Sequence, residues 1–412
     1  MANTLDVILD KLKENPIFKM SLGSKELFHS NFLEYIKEVD MGLFLSILNR
    51  LLPNNSELPN AFDYKLSREL ENFDLCLYHE EVTSTKKKKD GQEQEKKQIV
   101  FDLILENKVK SIPRKEQLEE YENKVKNHNP EGHTTRYILL SLAEKFPDRQ
   151  SIEDKKLWHV VTYKDLYDAI NNELSRLSKN RDRAYISDYC EFIGNLHRLQ
   201  EEILSGFENQ SLFADVILFK DYRMHDLYIK LRCAYFLILL KEKLNKIGIK
   251  EVHFINNHGD IRGKYQKKGI YLNQNIFRSV GQAAAFIYKE NGKDKDIFEI
   301  VIQGNQYRHG INSSRLAKYN KEKVESQNIL WNFFNQKIYE SEFLSLSKVN
   351  GLPTGDALPL KIRNNNKSNV KKIAPFCGYN HDYVYKYKDI DKLLVKDLLE
   401  IMTNDIKDVY CY

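Results

Sequence analysis

The stretch QIVFDLILENKVKS, residues 98 to 111, ends an apolar run on a carboxylate and an amine. On an extended strand, residues two apart share a face, roughly 6 to 7 Å from one another. Glu106 and Lys108 therefore lie side by side, with Ile104 and Val100 deeper on the same face and Asp102 interrupting it. A second alternating stretch, ENFDLCLYHEEV, carries Asp74. If residues 73 to 82 and 98 to 108 form a hairpin, Asp74 and Glu106 meet at its open end. Two carboxylates and a lysine at one sheet edge suit phosphodiester hydrolysis. Hard oxygen ligands hold Mg2+, the ion polarises a phosphoryl oxygen and acidifies water, and an ammonium offsets developing charge. Glu69 and Glu71 are rival acids to Asp74, and Asp102 is either a buried partner of a nearby cation or another acidic ligand.

The E-x-K triplet alone has little specificity: it recurs at Glu95, Glu122 and Glu153, and ENKVK itself occurs at both 106 and 122. The copy at 106 closes an apolar strand, whereas the copy at 122 sits on a polar helical segment where Glu122 and Lys124 diverge. A solvated strand end is the bland alternative for Glu106 and Lys108. Further along, EQLEEY sets Gln117 and Tyr121 at i and i+4, on one face of the next helix.

Together, Asp74, Glu106-x-Lys108 and Gln117-x-x-x-Tyr121 resemble the PD-(D/E)xK nuclease superfamily, with the Gln and Tyr similar to its exonuclease-like branch. The upstream SKELFHSNFLEYI resembles the first helix of bacterial members, with Glu26 at the helix carboxylate. The resemblance covers about residues 20 to 175. It implies an α/β fold with a restriction-endonuclease-like αβββαβ core and a mixed sheet. It also implies Mg2+ or Mn2+ as cofactor and hydrolysis of nucleic-acid phosphodiesters, usually in DNA. By position, Asp74 and Glu106 would be metal ligands, Lys108 the catalytic lysine, Gln117 and Tyr121 organisers of the site, and Glu26 a supporting carboxylate. No Pro precedes Asp74, a departure that many members share. A nuclease without its own translocase calls for control by a protein partner or by self-assembly, and defence against foreign DNA is an expectation by analogy. A ribonuclease using the same site, or a non-catalytic nucleic-acid-binding or scaffolding protein with a degenerate core, are the alternatives.

The elements that must position these groups follow from the patterning. Helices are expected over SKELFHSNFLEYIKEVD, with Ser24 as cap, and over MGLFLSILNRLL up to Pro53. A helix follows Pro113, TRYILLSLA is a strand, WHVVTYKDLYDAI is strand then helix, and a charged helix runs to about 205. The lysine-rich STKKKKDGQEQEKK reads as a solvated loop. In the second half, LYIKLRCAYFLILLKEKLNKIG is a long helix ended by Gly248, and strands follow, with Asn291-Gly292 turning a hairpin. QGNQYRHGINSS reads as a polar loop, HFINNHGDIRGKYQKKG as a basic Gly-rich one, and LLVKDLLEIMTNDI as a closing helix. The expected division is a nuclease domain over 1–205 and an α+β C-terminal domain over 220–412 that sets substrate choice, assembly or regulation.

At 412 residues, with 42% hydrophobic and 30% charged residues, the chain has material for two cores. A net charge of +5 permits a nucleic-acid partner without requiring one. Five scattered cysteines exclude a CxxC zinc site and point to a reducing cytoplasm. The N-terminus reads as a short amphipathic helix, CAYFLILL is too short to span a bilayer, and no GxxxxGK[ST] motif signals an ATPase.

Overall fold

A computed structural model describes residues 4–21, 25–54, 56–59, 63–87, 93–109, 111–178, 181–255, 268–277, 280–291, 294–313, 377–380, 383–390 and 393–411. The chain divides into two compact units, Met1–Ser205 and Gly206–Tyr412.

The first unit begins with four helices, α1 (Thr4–Glu14), α2 (Pro16–Ser21), α3 (Lys25–Val39) and α4 (Met41–Leu51). Local chemistry sets their ends. Asp40 accepts the Leu43 N–H at 2.9 Å as the N-cap of α4, whose Leu43, Phe44, Ile47, Leu48 and Leu51 recur at helical spacing and are buried. Strands β1 (Lys65–Ser67), β2 (Leu75–Lys87) and β3 (Glu93–Lys108) follow. Then come α5 (Lys115–His128), β4 (Arg136–Ser141), α6 (Arg149–Asp154), β5 (Trp158–Thr162), α7 (Tyr163–Glu173) and α8 (Arg181–Leu204). The sheet runs β1-β2-β3-β4-β5, antiparallel up to β3 and parallel from β3 to β5. This is the mixed sheet of a restriction-endonuclease-like core, with α5 as the crossover between two parallel strands.

The apolar run of β3 has a direct cause. From Val100 to Leu105 every residue is at most 1% exposed, because the strand is central and covered on both faces. Asn129, just past α5, completes its edge before β4 begins to pair. Its Oδ1 accepts the Phe101 N–H, and its Nδ2 donates to the Phe101 carbonyl and to Thr135 Oγ1, each at 2.8 Å. Asn129→Ala should cost about 2 kcal/mol in urea unfolding, because it strands a buried backbone N–H. An unchanged midpoint would show that water replaces the amide at no cost.

Two sequence expectations need correction. The lysine-rich segment is not simply a loop: β2 and β3 continue through it as a two-stranded ribbon, with Thr85 opposite Glu95 and Lys87 opposite Glu93. Backbone pairing, which polar side chains do not prevent, carries the strands past the apolar pattern; the connection at 88–92 lies outside the described residues. QGNQYRHGINSS is likewise no open loop but a tight turn into a strand, with Gly304 at φ +54.

The second unit contains α9 (His225–Lys246), β6 (Val252–Phe254), β7 (Gly269–Phe277), β8 (Val280–Asn291), β9 (Asp294–Gln303), β10 (Gln306–Ser313), β11 (Cys377–Asn380), β12 (Tyr383–Asp389) and α10 (Val395–Cys411). Its seven-stranded sheet runs β11-β12-β10-β9-β8-β7-β6, antiparallel except for β6 with β7. Helix α9 packs on β7 and β8, and α10 on α9, β8 and β9. Gly248, at φ +91, follows α9 as expected. Gly292, Ser24 and most of the basic Gly-rich segment lie outside the described residues. Among the described residues no helix is long and apolar enough to cross a membrane.

Candidate active site

Strand register decides the first part of the geometry. Leu75 pairs with Leu105, so Asp74 arrives opposite Glu106 near the end of β3, which stops level with its parallel partner β4 at Lys108 and Ser141. The Asn107 N–H donates to Asp74 Oδ2 at 2.8 Å and holds that carboxylate at the strand end. Lys108 Nζ lies 2.5 Å from Glu106 Oε1. The pair is deep: Glu106 is fully buried and Lys108 is 9% exposed.

A strained turn delivers Asp74. Glu69, Glu71 and Asn72 adopt left-handed backbone conformations at φ 60, 55 and 65, each costing a non-glycine residue on the order of 1 kcal/mol. Helix α5 offsets that cost with two bonds: Tyr121 Oη donates to the Asn72 carbonyl at 3.0 Å, and Lys124 Nζ to the Glu71 carbonyl at 2.7 Å. Of the rival acids, Glu69 is exposed, and Glu71 is exposed with its carboxylate 3.7 Å from His128.

Gln117 and Tyr121 do share a face of α5, and that face meets Glu106. Gln117 Nε2 donates to Glu106 Oε1 and to Tyr121 Oη, both at 2.8 Å. The other Glu106 oxygen, Oε2, is buried with no hydrogen-bond partner. Burial, reinforced by the neighbouring Asp74 charge and opposed by Lys108, pushes the Glu106 carboxyl up to about 7. Burial and the Glu106 charge likewise raise the Tyr121 phenol.

These features fit a hard divalent cation. Two carboxylates have been brought together at a cost, and one buried oxygen is without a partner. A cation between them would reverse the repulsion that raises Glu106. Among the described residues no three His, Cys, Asp or Glu side chains gather into a closed cage. Mg2+ needs no such cage, since it keeps waters and is held by one or two carboxylates together with substrate phosphates.

Asp102 takes the structural role. It is buried, and its Oδ2 lies 2.6 Å from His79 Nδ1 and its Oδ1 3.4 Å from His133 Nε2. Burial opposes the charged His79 ring, but hydrogen bonds to Asp102 and Glu81 outweigh it and hold the ring above its ordinary range. Glu26 lies on α3, with its side chain outside the described residues. Sequence reasoning missed Asn107 and Tyr163: the Tyr163 hydroxyl donates to Asn107 Oδ1 at 2.7 Å, and both residues are fully buried. Only the position of Asn107 between two candidate residues could have drawn attention to it.

A mixed sheet that ends in two acids and a lysine, over a helix bearing Gln and Tyr, defines a nuclease-type core. Residues 75–191 match the family described as the PD-(D/E)XK nuclease superfamily; the match takes in Glu106, Lys108, Gln117 and Tyr121 and begins one residue after Asp74. The C-terminal unit has no family match. No curated protein and no solved structure matches the chain.

Proposed function

We propose that the protein is a divalent-metal-dependent nuclease that hydrolyses phosphodiester bonds in DNA, and, by analogy with the superfamily alone, that it serves in defence against foreign DNA. The observation that carries the reading is the convergence of Asp74, Glu106 and Lys108 at the end of β3, with one Glu106 oxygen buried and unpartnered. Asp74 and Glu106 would hold Mg2+ or Mn2+; when bound, the ion would supply Lewis-acid polarisation of the scissile phosphate and a more acidic water. Lys108 presents an ammonium where negative charge builds as water attacks, and it opposes the burial-driven rise of the Glu106 carboxyl. Gln117 fixes the Glu106 carboxylate in one orientation, and Tyr121 fixes Gln117 and the turn before Asp74. The C-terminal unit would govern substrate choice, assembly or regulation.

The test is incubation of purified protein with plasmid DNA, linear DNA and matched RNA, in Mg2+ and in EDTA. Loss of DNA in Mg2+ alone is expected. Cleavage of RNA only would move the substrate to RNA while keeping the site. Undiminished cleavage in EDTA would overturn the metal-dependent mechanism.

A further inference from the structure

We infer that Tyr163 is a positioning residue for the metal-holding carboxylates, acting through Asn107; the inference rests on the reading of Asp74, Glu106 and Lys108 as the catalytic set. Side chains alternate along a strand, so Asn107 points away from the face that carries Glu106 and Lys108. It cannot touch an ion or substrate on that face, yet its backbone N–H is the group that holds Asp74 Oδ2 at 2.8 Å. The orientation of that N–H depends on how Asn107 itself is held, and its Oδ1 accepts from the Tyr163 hydroxyl at 2.7 Å.

Tyr163 is fixed from three directions. The sheet register runs Lys108 to Ser141 to Thr162, so Tyr163, the first residue of α7, starts level with the end of β3. The helix start is locked by a capping box: Thr162 accepts from the Asp165 N–H, and Asp165 Oδ2 accepts the Thr162 N–H at 2.7 Å. The ring is held edge-to-face by His29 of α3, with centroids 5.0 Å apart, and His29 Nδ1 is itself 2.9 Å from the Tyr189 hydroxyl of α8. Three helices thus brace one phenol whose hydroxyl sets the last turn of the catalytic strand. Without the hydroxyl, the buried Asn107 oxygen loses a donor and the side chain turns to find another. The amide that holds Asp74 then tilts, and misplacement of catalytic groups by a fraction of an ångström costs rate steeply.

The experiment compares wild type, Tyr163→Phe and Lys108→Ala by steady-state cleavage of plasmid DNA in Mg2+ and by calorimetric titration of the free proteins with Mn2+. Tyr163→Phe should lower kcat roughly 10-fold, leave KM within about 2-fold and weaken Mn2+ binding several-fold, with a cooperative unfolding transition retained. A merely structural bond would shift the unfolding midpoint and leave kcat and Mn2+ affinity alone; that result overturns the inference. Should Tyr163→Phe fail to fold, Asn107→Ala, which keeps the amide but cuts the tether, must show the same losses, and wild-type values there overturn the inference as well. Inactive Lys108→Ala beside a wild-type-like Tyr163→Phe sinks the positioning role alone. Wild-type cleavage by Lys108→Ala sinks the catalytic reading on which it rests.

Discussion

Lys108→Met should reduce phosphodiester cleavage by about 100- to 1000-fold without unfolding the protein. The side chain is nearly buried, so Met keeps the aliphatic stem in place and removes only the ammonium. Two losses then combine. The charge that would meet the developing negative charge of the transition state is gone, which alone is worth about 3 to 4 kcal/mol at a comparable preorganised donor. Lys108 is also the cation that opposes the rise of the Glu106 carboxyl. Removing it leaves Glu106 more protonated near neutral pH, so the variant should need more Mg2+ and a higher pH for its residual activity. Steady-state rates across a Mg2+ series at two pH values test both parts. A variant within a few-fold of wild type in saturating Mg2+ would remove Lys108 from the chemistry.

Glu106→Gln should abolish cleavage and yet make the metal-free protein more stable, by about 3 kcal/mol at pH 8 and by about 1 kcal/mol or less at pH 5. The sign follows from the direction of the change. Burial and Asp74 raise the Glu106 carboxyl from its ordinary 4.5 to about 7. A group that binds its proton more tightly when folded contributes stability that is complete below 4.5 and disappears as pH rises through 7. Above that range the protein carries the whole cost of a buried carboxylate beside another. The substituted amide carries no such charge. Its oxygen still accepts from Gln117 and Lys108, and its NH2, in place of the unpartnered Oε2, converts repulsion from Asp74 into attraction. Urea unfolding in EDTA at the two pH values measures the difference. A variant destabilised at pH 8, or equally stabilised at both, would contradict this account of the site as a local instability kept for function.

The strand that carries the candidate site was legible because its pattern is unusual: an apolar run long enough to be buried on both faces, ended by Glu106 and Lys108. The i, i+4 spacing of Gln117 and Tyr121 is itself enough to put them on one face of α5. The ribbon formed by residues 83–87 and 93–97 was not legible, since backbone pairing holds it and the sequence there follows no apolar alternation. Nor was the strained turn at 69–72, because no glycine marks those left-handed residues. Asn107 and Tyr163 stand 56 positions apart and meet only through the register of three parallel strands. Sequence separation of that kind carries no local signal.

The most direct test is a crystal of the protein soaked in Mn2+ and examined by anomalous diffraction. The account predicts a peak in contact with both Asp74 and Glu106, at about 2.0 to 2.3 Å from a carboxylate oxygen of each, absent after EDTA and absent from Glu106→Gln. A fully soaked crystal with no density between those two carboxylates, or with the ion bound elsewhere and these side chains untouched, would contradict it.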